Sequence, residues 1–292
     1  MADVRVNRGT LSKWFWGYFF VLPSLASFFA FSIYPMYRTI RQSFERFGLH
    51  GNTYVGLENY EWLLHDEYFY IVLKNTFLYW IGIVPIGVII SLVLSMLIYQ
   101  LPTYAQTFFK SAYYLPIVVS GIVLGFIWMY IFEPSFGLLN YLLELVRLPP
   151  QQWLANRKLV IWSLVFMQHG TRWGGSIVLL CASRGNIPQT LYEAATIDGA
   201  SRLQQFGQIT IPLLRPAIVY VTIMSTISTF RIFNQIWIMT RGGPNYASTN
   251  LTYYIYLLGF ERWQFGRGCA VAVVLLLITI VVAIIQFRGI GE

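Results

Sequence analysis

The chain has 292 residues, of which 57% are hydrophobic and only 11% charged, with a mean hydropathy of +0.57 and a formal net charge of +8. No water-soluble fold needs so apolar a composition. The basic residues are scattered singly and never form a run of five or six, so the positive balance points to solvated membrane flanks, and nucleic acid is not expected as a partner.

Six stretches of 20 to 25 residues are nearly free of charge. Stretches 14–37, 75–98, 111–132 and 268–287 contain no charged residue, while 159–183 and 216–240 contain one each, Arg172 and Arg231. About 20 apolar residues in a helix cross a hydrocarbon core of about 30 Å, so each stretch is predicted to span a membrane. Long apolar runs such as 271–285 exclude the short alternating segments of a transmembrane β-barrel. The predicted fold class is all-α: a polytopic helical membrane protein with six transmembrane helices.

In chain order, a tail (1–13) with Arg5, Arg8 and Lys13 leads into the first stretch. That start resembles a secretory signal, but the apolar part is 24 residues long and lacks a small-x-small cleavage site, so it is read as an uncleaved span. Loops 38–74, 99–110, 133–158, 184–215 and 241–267 follow between the spans, and 288–292 ends the chain; none can hold a separate soluble domain. Six spans put both termini on one side, and the tail favours the inside, although the loop count of Lys and Arg does not decide. Pro23, Pro85, Pro116 and Pro216 each delete a hydrogen bond within a span, and kinks there would shape a cavity. Trp14, Trp16, Tyr34, Tyr37, Tyr130 and Trp162 fit interfacial aromatic belts.

Several chemistries are missing. None of Lys13, Lys74, Lys110 and Lys158 follows a glycine, so the chain has no phosphate-cradling loop and any ATP is hydrolysed by another chain. His50, His65 and His169 have no partner at ligand spacing, which excludes a metal centre, and Cys181 and Cys269 read as packing residues. No Asp or Glu falls within a span, against expectation for proton or sodium coupling. Arg172 and Arg231 are the exceptions: each costs at least about 2.5 kcal/mol unpaired at mid-bilayer. One reading is a polar pathway for a hydroxylated or anionic solute, shared with Asn234 and Gln235; the other is interhelical bonding or snorkelling.

The loop 184–215 contains Glu193-Ala194-Ala195-Thr196-Ile197-Asp198-Gly199-Ala200, then Phe206, Ile209, Pro212 and Pro216. Pro188 can open a short helix, Gly199 a turn that a Cβ would hinder, and 201–206 a second short helix before Pro212 begins the next span. The product is a helix-turn-helix suited to a groove in another protein, although an interfacial hairpin is equally allowed.

This spacing resembles the membrane permeases of binding-protein-dependent ABC importers. The similarity continues in Val55-Gly56-Leu57-Glu58-Asn59-Tyr60, Asn75-Thr76, Leu115-Pro116, Trp128, Gly137-Leu138-Leu139-Asn140, and Thr240-Arg241-Gly242-Gly243-Pro244 with Thr249 and Leu251. These look like the sugar-importing branch of maltose and glycerol-phosphate type, which implies a MetI-like transmembrane fold. The resemblance implies that Glu193, Ala194, Ala195, Asp198, Gly199, Ala200 and Phe206 couple the chain to an ATPase, as a cytoplasmic coupling-helix loop. It implies three kinds of partner: a sister permease, two ATP-binding-cassette ATPase subunits, and an external or periplasmic solute-binding protein meeting loops 38–74 and 241–267. The chain itself would hold no cofactor, ATP and magnesium being bound by the ATPase. It would sit among lipid in a bacterial-type cytoplasmic membrane with both termini inside. The implied substrate is a carbohydrate; Arg172, Arg231, Asn234 and Gln235 would suit an anionic oligosaccharide, since guanidinium pairs with carboxylate in a planar fork. The alternatives are a non-sugar solute and, more remotely, an ion-coupled secondary transporter.

Overall fold

The computed structural model describes residues 8–48 and 51–291, with side chains from 15 to 290. His50, Glu292 and about half of the expected 1–13 tail lie outside the described residues. The protein is mostly helical. α1 runs through Arg8–Phe28, a π-helical turn at Phe29–Ile33 and Tyr34–Gln42. A short hairpin, β1 (Glu45–Gly48) and β2 (Gly51–Tyr54), departs from the all-α expectation, pairing Glu45 with Tyr54. Then come α2 (Glu58–His65), α3 (Glu67–Tyr99), α4 (Thr103–Val118), α5 (Gly121–Ile131) and α6 (Leu138–Leu145). α7 (Val160–Thr171), α8 (Gly174–Gly185) and α9 (Gln189–Ile197) precede α10, which is Arg202–Gln205, a π-helical turn at Phe206–Thr210, and Ile211–Phe230. α11 (Asn234–Met239), α12 (Leu251–Tyr256, continued as a π turn over Leu257–Glu261) and α13 (Phe265–Gly291) complete the chain.

Among the described residues four helices are long and apolar enough to cross a membrane: Phe15–Gln42, Glu67–Tyr99, Arg202–Met239 and Phe265–Ile290. α4 and α5 make a further crossing only as a pair bent by 98°. α7 and α8 have 12 residues each, too few to cross singly. The expected stretches 111–132, 159–183 and 216–240 are therefore interrupted, at 119–120, 172–173 and 231–233.

Each interruption has its own cause. Pro116 has no N–H to give, and the Ser120 hydroxyl accepts from Ile122 N at 3.3 Å to cap α5. At 231–233 the freed carbonyls find distant donors: Thr252 Oγ1 donates to Phe230 O at 2.5 Å, and Asn250 Nδ2 to Ile232 O at 2.7 Å. At 172–173 the backbone is held by close approach on two sides. A Cβ on Gly87 of α3 would lie 1.6 Å from Trp173 Cζ2, and one on Gly174 would lie 2.2 Å from Tyr113 O.

α3 is the central element, and it begins eight residues before the expected 75 because the Asp66 carboxylate caps it, accepting from Tyr68 N at 3.3 Å. Its 33 residues extend about 50 Å, longer than the hydrocarbon core. Gly82, Gly87, Ser91 and Ser95 are buried on it, and such small residues let α7 and α8 approach closely. One hydroxyl joins three helices: Trp80 Nε1 donates to Thr226 Oγ1 at 3.0 Å, and so does Gln286 Nε2 at 2.8 Å.

Much of the loop 241–267 is buried. Ser248, Thr249, Leu251 and Tyr254 are fully buried. A buried loop must find partners for its backbone, and α3 supplies them. Asn75 Nδ2 donates to Tyr246 O and Thr249 O at 2.9 and 3.0 Å, Thr76 Oγ1 accepts from Leu251 N at 2.9 Å, and Tyr79 donates to Ser248 O at 3.0 Å. The Tyr254 hydroxyl donates to the Asp66 carboxylate; burial first, and that bond second, push the phenol above its usual range. The later part, with Phe260 and Trp263, stands well exposed.

Candidate functional site

The three interruptions converge. Pro116, Val119 and Gly121 from the α4–α5 bend, Thr171 and Arg172 from the α7–α8 break, and Arg231, Ile232, Phe233 and Asn234 from the α10–α11 break line one cavity of about 400 Å³. Gln168, Ser228 and Gln235 also face it. All four pathway candidates from the sequence, Arg172, Arg231, Asn234 and Gln235, thus share one cavity, although about 60 residues separate the first from the rest. Irregular backbone at membrane depth is tolerated only where protein buries it or where it lines a cavity, and these breaks line one.

The cavity is cationic. No Asp or Glu lines it. Arg172 Nη1 donates to Thr229 Oγ1 at 3.2 Å, and Arg231 is exposed. The ion pairs among the described residues, Arg41–Glu45 and Arg46–Glu58, involve neither arginine. Two guanidinium groups, two carboxamides and hydroxyls can receive a hydroxylated or carboxylated solute. Its volume falls within the ~300–1,000 Å³ of small-molecule sites.

Sequence reasoning missed what holds this cavity in shape. Trp173 Nε1 donates to His169 Nδ1 at 3.2 Å, which leaves Nε2–H to donate to Gly82 O at 2.9 Å. His169 therefore ties the α7 break to α3, and the contact is visible only once Gly82 and His169, 87 residues apart, meet.

The second candidate lies at the end where α3 and α8 finish. Pro188 precedes α9, and Gly199 adopts φ +78°, where a side chain would be strained. Gly199 N donates to Thr196 O at 3.1 Å and Ala200 N to Ala195 O at 2.9 Å, the paired bonds of a Schellman stop. Ser201 then opens α10 with a capping box: Gln204 N donates to Ser201 Oγ at 3.4 Å and Ser201 N to Gln204 Oε1 at 2.7 Å. The expected separate helix at 201–206 is instead the first turn of α10, because the π turn at Phe206–Thr210 carries the helix past Pro212.

Glu193, Ala194, Asp198 and Gly199 face outward, as do Ile197 and Leu203, while Ala195, Ala200 and Phe206 are half-buried. An exposed apolar pair at the tip of a polar hairpin offers a contact for another protein. The hairpin's anchor was not foreseen. Tyr192 is buried, shares a hydrogen bond of 2.8 Å with Thr210, and lies 4.0 Å beneath the Arg184 guanidinium. Arg184 also lies 4.6 Å from the Tyr99 ring at the end of α3. Among the described residues no group of His, Cys, Asp and Glu could hold a metal ion.

The chain matches none of the known protein-family models. It is 32% identical over 276 residues to the probable ABC transporter permease protein YurN of Bacillus subtilis, covering 93% of this chain and 94% of that one. It is 34% identical over 275 residues to the arabinooligosaccharides transport system permease protein AraP of Halalkalibacterium halodurans, covering 92% and 85% of the two chains. In fold it is similar to a chain of the bacterial alginate ABC transporter in complex with an alginate pentasaccharide-bound periplasmic protein. That match has a TM-score of 0.85 and 20% identity and covers 97% and 96% of the two chains.

Proposed function

The chain belongs to the permease subunits of ABC transporters, and from that membership we propose that it forms half of the pathway of a carbohydrate importer. The observation that carries the reading is the convergence of three helix breaks on a cationic cavity holding Arg172, Arg231, Asn234 and Gln235. An external binding protein delivers the solute, a sister permease supplies the other wall, and two ATPase subunits drive the cycle. The names of the relatives favour an oligosaccharide, and the two arginines favour one bearing carboxylates.

In this reading six passes cross the membrane, those of 111–132, 159–183 and 216–240 being broken helices. The hairpin of 188–206 faces the cytoplasm with both termini. Glu193 meets a basic residue of the ATPase, Ala194 and Ala195 lie against its groove, and Asp198, Gly199, Ala200 and Phe206 hold the bend. When the ATPase closes on ATP, the hairpin moves with it and turns α10, exchanging inward for outward access.

The test is import into proteoliposomes containing the assembled complex, with its binding protein and ATP, across neutral and uronic-acid oligosaccharides. ATP-driven import of at least one is expected. Import of no carbohydrate, with a non-sugar solute carried instead, would overturn the substrate class.

A further inference from the structure

Behind the hairpin lies a second cavity, of about 450 Å³, between α9 and the ends of α3 and α8. Arg184 and Arg202 line it, with the carboxamides of Gln100 and Gln189, and Met96 and Phe206 give it an apolar wall. No Asp or Glu lines it. It shares no lining residue with the pathway cavity, so the two are distinct.

Arg184 is held in a particular way. Its guanidinium is stacked between Tyr99 and Tyr192, at 4.6 and 4.0 Å from the ring centroids, and its Nη1 is screened from solvent without a hydrogen-bond partner. The stacked rings satisfy the faces of the cation but accept nothing from its edge, which is where an anion binds. Arg202, by contrast, is exposed at the rim.

We propose that this cavity binds a phosphate ester, with the phosphate bridging Arg184 and Arg202 and the carbon part resting on Met96 and Phe206. A tetrahedral phosphate presents several acceptor oxygens, enough for two guanidinium groups and the neighbouring carboxamides at once. α3 ends beside the cavity, and at about 50 Å it reaches past a hydrocarbon core of about 30 Å toward the layer of lipid phosphates. A soluble phosphorylated metabolite has the same chemistry. Because the ligand would bridge Arg184 on α8 and Arg202 on α10, its presence stiffens the joint between the hairpin and the spans.

Native mass spectrometry of the assembled complex, wild type and variants Arg184→Gln and Arg202→Gln, tests this. One arm uses nanodiscs of phosphatidylcholine with and without phosphatidylglycerol; the other uses phosphatidylcholine nanodiscs with sn-glycerol 3-phosphate in solution. Wild type is expected to retain phosphatidylglycerol or glycerol phosphate, and the arm in which it does so names the source. Each variant is expected to bind about tenfold more weakly, as loss of a charge-assisted bond implies. Arg184→Gln also removes the stacking; if it fails to assemble, Arg202→Gln alone decides, since that side chain is exposed. Retained phosphatidylcholine, itself a phosphate ester, counts with the lipid arm; retention of no phosphate ester by wild type, or equal retention by wild type and Arg202→Gln, overturns the site. Binding is read without transport, so this result is independent of the importer reading.

Discussion

Arg172 and Arg231 share a cavity but not an environment, and substitution should separate them. Arg172 donates to Thr229, whereas Arg231 is exposed. Replacing either by Gln should lower import of a carboxylated oligosaccharide by about tenfold or more, the worth of one charge-assisted bond. Thr229→Val should leave import nearly unchanged and cost only about 1 kcal/mol of stability, as read by thermal unfolding of the assembled complex. If Thr229→Val abolished import while both arginine variants retained it, the roles assigned to the two sides of that bond would be reversed. A sharper structural test lies at Gly87. Its missing Cβ leaves room for the Trp173 ring, so Gly87→Val must push the indole from its bond with His169. Overpacking of this kind costs about 1–3 kcal/mol, and Gly87→Val should lower the melting temperature of the complex, with Trp173→Ala partly restoring it.

The hairpin and the breaks differ in how far their causes lie along the chain. Pro188, Gly199, Ser201 and Gln204 each act on their own neighbours along the chain, so the helix after Pro188 and the turn at Gly199 were legible in the sequence. Pro116 marked the α4–α5 bend, but the α10–α11 break was not legible, because its donors, Asn250 and Thr252, lie about 20 residues further on and hydropathy reads only apolar content. The same holds for loop 241–267: its polar sequence suggests solvent, but Asn75, Thr76 and Tyr79 bury it. Arg172 and Arg231 were legible as anomalies of charge, and their meeting was not. For the hairpin, Gly199→Val should strain the φ +78° turn and either release the ATPase or uncouple its hydrolysis from import. Gly199→Asn should do less, since Asn tolerates that conformation, and Glu193→Ala, at an exposed contact, should cost about 1 kcal/mol or less of binding. Pull-down of the ATPase with binding-protein-stimulated hydrolysis measures all three. Normal values for Gly199→Val would show that the hairpin does not carry the motion.

At the scale of the molecule, α1 stands apart from the rest. None of the apolar window in Phe15–Gln42 is buried within the chain, although its last turns reach α13. Apolar exposure to lipid costs little, so only close packing against another protein would hold the first part of this helix. A cysteine replacing Phe20, which is 74% exposed, should therefore cross-link to the sister permease in membranes. Cross-linking only to lipid or to a second copy of this chain would contradict the heterodimer. The purified chain alone should release no phosphate from ATP, since it lacks the loop that would hold the nucleotide. The broken helices carry a consequence for descent as well. The groups that hold the α7–α8 and α10–α11 breaks, Gly87 and Gly174 for the first and Asn250 and Thr252 for the second, do not line the cavity. A descendant can exchange Arg172 or Arg231 for a neutral residue and inherit the same broken helices, so under the proposed pathway a lineage can change its diet one residue at a time without rebuilding the wall.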